Sequence, residues 1–262
     1  MTIFITMQNK KLLAVKIFKD IAAAAFWIAI WEAASLIIDD NLKIFLPSPV
    51  CVIKRFFKLI LKSEFILAAL KTLLRIALGF LSGVTAGILT GVLTNLSKTA
   101  HTLISPILRI IRAVPVVSFI ILAFLFIKVD SLPIFISFLM VLPVVWQSTD
   151  DSLRSADERL CEMGKVFGLS KSKILFRIRL PISLPQIITS CINGLGLAWK
   201  SGVAAEVICT PEISLGHEIF RGKFNLDYEY VYAITLAVVV LSVLIEFVLK
   251  YFIGKLIKGA EK

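Results

Sequence analysis

The sequence predicts an all-α membrane protein with about six transmembrane helices, and three observations support that prediction. The chain has 262 residues, is 58% hydrophobic and has a mean hydropathy of +0.90, whereas soluble domains are about 45–50% apolar. Its apolar runs reach roughly 20 residues, the length of a helix that crosses a hydrocarbon core about 30 Å thick. The alternating pattern of a membrane β-strand is absent, and a helix satisfies its own backbone groups in lipid.

The first predicted span covers residues 21–38 and contains Glu32. Residues 1–20 precede it as a tail with lysines, and no small-x-small site follows the apolar run. We therefore expect an uncleaved span rather than a signal peptide. The prolines of the LPSP motif at 46–49 indicate a turn. Residues 50–75 mix apolar and basic positions, a pattern typical of an amphipathic helix at the membrane interface.

Five more spans follow, each an apolar stretch between polar connections. The second contains glycine at every fourth position, which places the glycines on one helix face and allows close helix packing. These residues are Gly79, Gly83, Gly87 and Gly91. Pro115 breaks the third span and Pro143 lies within the fourth. The predicted bounds of the five spans are 76–94, 103–127, 132–149, 183–209 and 229–253.

The distribution of Lys and Arg predicts the orientation. With Lys250 counted in the C-terminal tail, both tails, the 95–115 connection and the polar segment before the fifth span together carry 18 of the 29 basic residues, against 10 on the opposite side. The positive-inside rule therefore places the tails, 1–20 and 254–262, in the cytoplasm, with a membrane domain at 21–253 between them. Seven of the ten opposing charges fall in 43–75, which the rule does not explain. Nucleic-acid binding is disfavoured because no basic stripe carries base-stacking aromatics outside the spans.

A polar, basic segment at residues 147–181, here called the island, interrupts the apolar chain between the fourth and fifth spans. Ser155 or Asp157 can cap a first helix, and Gly168 supplies the left-handed position that ends it. Ser170 can cap a second helix, which the proline at its end closes. Two short helices with a sharp turn are therefore expected. Four apolar side chains would suit a groove on a partner protein: Leu160, Met163, Val166 and Phe167.

The island contains the pattern E-x-G-x-x-x-G-x9-I-x-L-P, which resembles the EAA signature of ABC-transporter membrane subunits. The five matching positions are Glu162, Gly168, Ile178, Leu180 and Pro181. Met163 and Gly164 stand where that family usually has two alanines. In the family this loop docks on a separate ATPase. The resemblance therefore implies that residues 150–181, with these seven positions, couple the chain to ATP hydrolysis.

The resemblance covers most of residues 46–252 and is closest to the nitrate/sulfonate/taurine-type branch of binding-protein-dependent importers. It rests on LPSP, TLLRIALGFLSGVTAGILTG, IIRAVPVVSFI and GLGLAWKSGVAAEVI, at 46–49, 72–91, 110–120 and 194–208. It implies a type I ABC importer permease fold with cytoplasmic coupling helices, in the plasma membrane of a bacterium. Two copies would form the pathway, and two ATPases would bind ATP and Mg. An extracytoplasmic binding protein would deliver a sulfonate, taurine, nitrate or vitamin precursor.

The fifth span carries two ionisable residues, Lys200 and Glu206, and such residues usually face protein or a water-filled path. We expect them, together with Pro115, at the translocation pathway. The interpretation that we favour for Lys200 is an ion pair with Glu206, with Glu32 or with a carboxylate of a neighbouring subunit. In the alternative interpretation, Lys200 attracts an anionic substrate.

Other chemistry is not indicated by the sequence. It lacks the phosphate-binding pattern G-x-x-x-x-G-K-[ST], so nucleotide would bind another chain. His101 and His217 lie far apart and the four cysteines lack metal-ligand spacing, so we expect no metal site, no bound cofactor and no enzyme. A secondary transporter is the alternative function, but it would need intramembrane acids or histidines for ion coupling and paired repeats. A non-transporting scaffold would leave the island without a role.

Overall fold

The computed structural model describes residues 2–39 and 42–260, and the regular elements within those ranges are all helical. A π-helical turn, Leu175–Arg179, joins the eighth helix to the ninth. The α-helices are α1 (Thr2–Ile37), α2 (Pro49–Ile60), α3 (Ser63–Leu96), α4 (Lys98–Ala113), α5 (Val116–Phe124), α6 (Leu132–Arg154), α7 (Glu158–Val166), α8 (Lys171–Ile174), α9 (Leu180–Cys209), α10 (Leu215–Phe224) and α11 (Tyr228–Ala260).

Length and hydropathy identify the helices that can cross a membrane. Within the described ranges, four continuous stretches are long and apolar enough: Ser63–Leu96, Leu132–Arg154, Ser172–Cys209 and Tyr228–Lys255. They correspond to the second, fourth, fifth and sixth predicted spans. The first predicted span corresponds to Ile21–Ile37, a shorter apolar part of α1. Four of the six predicted spans therefore lie within single helices long enough to cross, and the first coincides with the apolar end of α1 up to Ile37.

The third predicted span, 103–127, is not one continuous helix. α4 and α5 meet at an angle of 101°. Pro115 has no backbone N–H and keeps the residue before it out of helical geometry, and Val114 has φ −79° and ψ 133°. The nine residues of α5 extend only about 14 Å. This region is therefore a broken span or a re-entrant loop rather than a straight crossing.

The predicted amphipathic helix over 50–75 also divides into two elements. Ser48 caps α2, its Oγ accepting a hydrogen bond from the Val50 N–H at 3.3 Å, and Pro49 occupies the first helical position. Lys62 is extended, with φ −83° and ψ 130°, and precedes α3. One extended residue turns the chain without interrupting the hydrophobic periodicity, which explains why the pattern predicts a single helix.

Helices α3, α6 and α9 form the centre of the bundle. All four glycines of the α3 ladder face α6, and a Cβ added to any of them would lie 2.4–2.9 Å from an α6 atom. The α6 positions that they meet also recur every fourth residue: Ser137, Val141, Val145 and Thr149. This matched spacing brings the two backbones close along several turns. The Ser137 hydroxyl then donates to the Ala198 carbonyl at 3.1 Å, which links α6 to α9.

The bundle has two distinct ends. At one end, Arg55 of α2 pairs with Asp227, just before α11, at 2.9 Å. At the other end, Arg179 donates to the Asn95 side-chain oxygen near the end of α3 at 3.3 Å. Because α3 runs from the first end to the second, the island lies at the opposite end of the bundle from α2 and α10.

Candidate functional site

The first half of the island folds into α7, a short helix with defined caps. Asp157 rather than Ser155 caps it: its Oδ1 accepts from the Arg159 N–H at 2.9 Å. Gly168 has a φ of +76°, a conformation that other residues adopt only at a cost. The Gly168 N–H reaches the Lys165 carbonyl at 2.9 Å, and the next N–H reaches the Gly164 carbonyl at 3.0 Å. The turn therefore satisfies the last carbonyls of α7.

The inner side of α7 packs on the second half of the island. Gly164 is buried, and a Cβ there would lie 3.0 Å from Cδ1 of Ile178 and 3.4 Å from Cγ1 of Ile174. This position therefore requires a small residue. Glycine in place of the alanine usual in the resembling family fits a contact that is tight for any Cβ.

The second half of the island does not form the separate short helix that the sequence predicts. Ser170 caps it, its Oγ accepting from the Lys173 N–H at 3.4 Å. The helix then continues through the π-turn, where the Leu180 N–H bonds the Leu175 carbonyl, and on into α9. Pro181 occupies the first turn of α9, where its missing N–H removes no helical hydrogen bond because the π-turn has already shifted the register. Proline therefore marks a junction here, not an end.

The outer side of α7 is apolar and exposed. Phe167 is 78% exposed, and the other three apolar residues predicted for a partner groove also lie at the surface: Leu160, Met163 and Val166. Glu162 is exposed between them. Ile178 is half-buried against Gly164, and Leu180 is half-buried at the start of α9. Among the signature positions, Glu162 is thus open to a partner, whereas the contact of Gly164 with Ile178 holds the two halves of the island together.

A buried polar cluster anchors the island to the bundle. Asp150, 3% exposed, accepts from the Thr94 hydroxyl at 2.9 Å and from Nε of Arg154 at 2.9 Å. The Trp146 indole N–H donates to Thr94 Oγ1 at 3.1 Å, and Nε2 of His101 lies 3.5 Å from Asp150. The sequence patterns above did not predict this cluster. Its signal is a carboxylate at the end of an apolar span with an arginine four residues later.

A polar groove runs between α4, α6 and α9. Arg112 lines it from α4, and the other polar lining residues are Gln147, Ser148, Asp151, Gln186, Thr189, Ser190 and Asn193. Polar side chains on an outward face of two membrane helices are unfavourable in lipid, so this face meets protein or water.

The α9 side of the groove continues towards the other end of the bundle. Gln186, Asn193 and Lys200 are spaced seven residues apart and all are exposed, so they lie on one helix face. A Cβ added to Gly196, on the same face, would meet nothing within 4 Å. Pro115, at the bend between α4 and α5, is also exposed.

Glu206 does not belong to this open face, which corrects the expectation that it lines a pathway. Its side chain is 0% exposed and accepts from the Thr72 hydroxyl at 2.7 Å. Arg75 lies 3.3 Å away and also contacts Asp130 at 2.5 Å. A buried carboxylate needs such a partner and hydrogen bonds, and the arginine of α3 supplies both.

Lys200 consequently does not pair with either carboxylate that the sequence offers within the chain. Glu206 is engaged by Arg75, and Glu32 accepts from the Ser48 hydroxyl at 2.7 Å. Among the residues described, the structure shows no ion pair for Lys200. Its charge is therefore available to water, to a solute or to a neighbouring subunit.

A bundle of membrane-crossing helices, with a polar groove between them and an exposed apolar loop at one end, defines a membrane transport subunit. The chain belongs to the family of inner membrane components of binding-protein-dependent transport systems, which it matches over residues 83–258. The predicted resemblance to membrane subunits of binding-protein-dependent transporters is thus confirmed.

Relatives of known description agree with this family. The chain is 34% identical over 182 residues to a putative aliphatic sulfonates transport permease of Escherichia coli, covering 69% of each chain. It is 26% identical to the nitrate import permease of Synechocystis, over 74% of this chain and 72% of that one. A probable ABC transporter permease of Brucella melitensis is 28% identical over 83% of this chain and 85% of its own length.

Solved structures show the same fold. The chain superimposes on the MetNI methionine ABC transporter with a TM-score of 0.64 and 16% identity, covering 73% of this chain and 95% of that one. A bacterial alginate ABC transporter gives a TM-score of 0.60 at 17% identity, over 90% and 94% of the two chains. The predicted fold class, an all-α importer permease, is therefore confirmed.

Proposed function

We propose that this chain is the membrane subunit of an ATP-driven importer and that the island docks on a separate ATPase. The observation that carries the proposal is the outer face of α7, where apolar side chains are held outward by a capped helix and a glycine turn. Such a face fits an apolar groove on a partner, in the mode by which amphipathic helices are recognised. Movement of α7 would pass to α9, because α7 packs on the second half of the island, and that half continues into α9 without a break.

The polar groove and the Lys200 face are the proposed translocation pathway. Alternating access would open this path to one side and then to the other, with the bend at Pro115 as the flexible element. The relatives transport anions by their names, sulfonates and nitrate, and a lysine without an internal partner suits a small anionic solute. Two copies of the chain, two ATPases and an extracytoplasmic binding protein complete the proposed assembly, with both termini in the cytoplasm.

Co-purification with the ATPase tests the docking proposal. Phe167→Glu is expected to abolish retention of the ATPase on the tagged permease, because a charge would enter an apolar groove. Phe224→Glu is the matched control, since Phe224 is 79% exposed against 78% for Phe167 but lies on α10 at the opposite end. Equal retention by both variants would remove the island from the docking site.

A further inference from the structure

Helix α2 presents three different faces around its axis. The first is buried against the bundle through Val52 and Leu59. The second is apolar but exposed, with four side chains that repeat at helical spacing and are 41–83% exposed: Val50, Ile53, Phe57 and Leu61. The third carries Lys54 and Lys58, one turn apart and both exposed. At about 100° per residue, the lysine face adjoins the exposed apolar face.

The charges of this region separate into two groups. Arg55 pairs with Asp227 at 2.9 Å, and Arg75 pairs with Glu206 at 3.3 Å. Each of these arginines holds two elements of the bundle together. Lys54 and Lys58, in contrast, have no acidic partner among the residues that the structure describes. Their charges are thus not used by the fold, although the positive-inside rule disfavours lysine at the end of the bundle away from the island.

We infer that α2 lies along the membrane surface and that Lys54 and Lys58 bind the headgroup phosphates of anionic phospholipids. In this placement the exposed apolar face enters the acyl-chain region, the buried face stays on the bundle, and the lysines extend to the phosphates. A helix that lies at the membrane surface beside a bundle needs one face towards the protein, one towards the acyl chains and one towards the headgroups. The inference does not depend on the solute or on the ATPase.

Lipid accounts for this surface better than an acidic protein partner does. An acidic protein would satisfy the lysines, but the adjoining row of Val50, Ile53 and Phe57 would then need a matching apolar groove. A bilayer supplies phosphate and hydrocarbon side by side, in the same order as the two faces. Anionic headgroups would also balance the basic residues that the positive-inside rule leaves unexplained.

Native mass spectrometry of the purified full-length chain in detergent tests the inference. The probes are phosphatidylglycerol and phosphatidylcholine of identical acyl chains. The parent is expected to bind phosphatidylglycerol preferentially. Lys54→Gln/Lys58→Gln is expected to weaken that binding roughly 25-fold, since each lysine near an anionic surface contributes roughly fivefold. The matched control Lys128→Gln/Lys223→Gln removes two exposed lysines from the same end and is expected to leave the preference unchanged.

Depth measurements distinguish lipid from protein as the occupant. Cys51 is the exposed native cysteine and lies on α2, so a fluorophore there should be quenched by spin-labelled lipids in phosphatidylglycerol vesicles. Equal binding of the two lipids by the parent, or an equal loss in both double variants, would overturn the inference. So would a Cys51 fluorophore that water-soluble quenchers reach but lipid quenchers do not, a result that would favour an acidic protein instead.

Discussion

Arg75 and Glu206 form the most deeply buried charge pair that the structure describes in the membrane bundle, with Glu206 at 0% exposure. Arg75→Met leaves that carboxylate without its partner, and breaking a buried pair costs about 3–5 kcal/mol. We expect a clearly lower melting temperature in detergent. Arg75→Met/Glu206→Gln should recover part of the loss because the unpaired charge is gone. Arg55→Met is the control, since the exposed pair with Asp227 is worth about 0–1 kcal/mol; equal melting of both single variants would contradict the prediction.

Lys200 differs from Arg75 because the fold of the single chain does not use its charge. Lys200→Met should therefore lower solute uptake while leaving the melting temperature of the detergent-solubilised chain unchanged. Lys200→Arg should retain part of the uptake, since it keeps the positive charge at this position of α9. Uptake and melting are measured on the same preparations. A variant that melts early and transports normally would show that Lys200 is a structural partner of a neighbouring subunit.

At the scale of single elements, the turn of the island depends on Gly168 with its φ of +76°. A left-handed conformation costs an ordinary L-residue roughly 1–2 kcal/mol, and a β-branched residue is a genuine outlier there. Gly168→Val should leave the chain inserted but reduce uptake per ATP hydrolysed by the partner, because α7 would be displaced. Gly168→Asn should retain coupling, since asparagine tolerates this conformation. Tight coupling in the valine variant would show that the turn does not position α7.

The contact between α3 and α6 depends on the absence of side chains along one face. A Cβ at Gly87 would lie 2.8 Å from Cβ of Val145, so Gly87→Val should lower stability by about 1–3 kcal/mol. Gly87→Ala should lower stability less than Gly87→Val, because it adds only the Cβ. Gly196→Val is the control for β-branching, since that position opens on empty space. A melting temperature in Gly87→Val equal to that of the control would argue against tight packing.

Local sequence patterns predicted some of these elements, but they did not predict contacts between residues far apart in the sequence. The glycine ladder, a cap at Ser155 or Asp157 and the Gly168 turn each involve residues that lie close together in the sequence, so local patterns predicted them. The partner of Glu206 could not be found in this way, because Arg75 lies 131 positions away and only the packing of α3 on α9 brings them together. The polar groove could not be predicted from local patterns either, because its lining residues come from three helices, α4, α6 and α9. The prediction that Pro181 ends a helix was wrong for a different reason. A π-turn, which no local sequence pattern predicts, precedes Pro181 and lets the helix continue through it.

On the scale of the whole molecule, the two ends of the bundle have different chemistry. The island end carries an exposed apolar helix and the buried polar cluster around Asp150, while the other end carries ion pairs between α2, α3, α9 and the start of α11. A groove on the α4, α6 and α9 faces leads from the island end inward. The proposed coupling fits this asymmetry, because the island and the groove share helix α9.

Labelling from outside the cell tests the orientation of these ends. In a Cys51→Ser background, Asn225→Cys should react with a membrane-impermeant maleimide in spheroplasts, whereas Lys173→Cys should react only after lysis. The bias of 18 basic residues against 10 predicts by the positive-inside rule that the island lies in the cytoplasm, and Asn225 ends α10 at the opposite end of the bundle. The parent Cys51 should also be labelled from outside, although lipid contact would slow its reaction. Labelling of Lys173→Cys in unlysed spheroplasts would place the island outside, and the island could then not dock on a cytoplasmic ATPase.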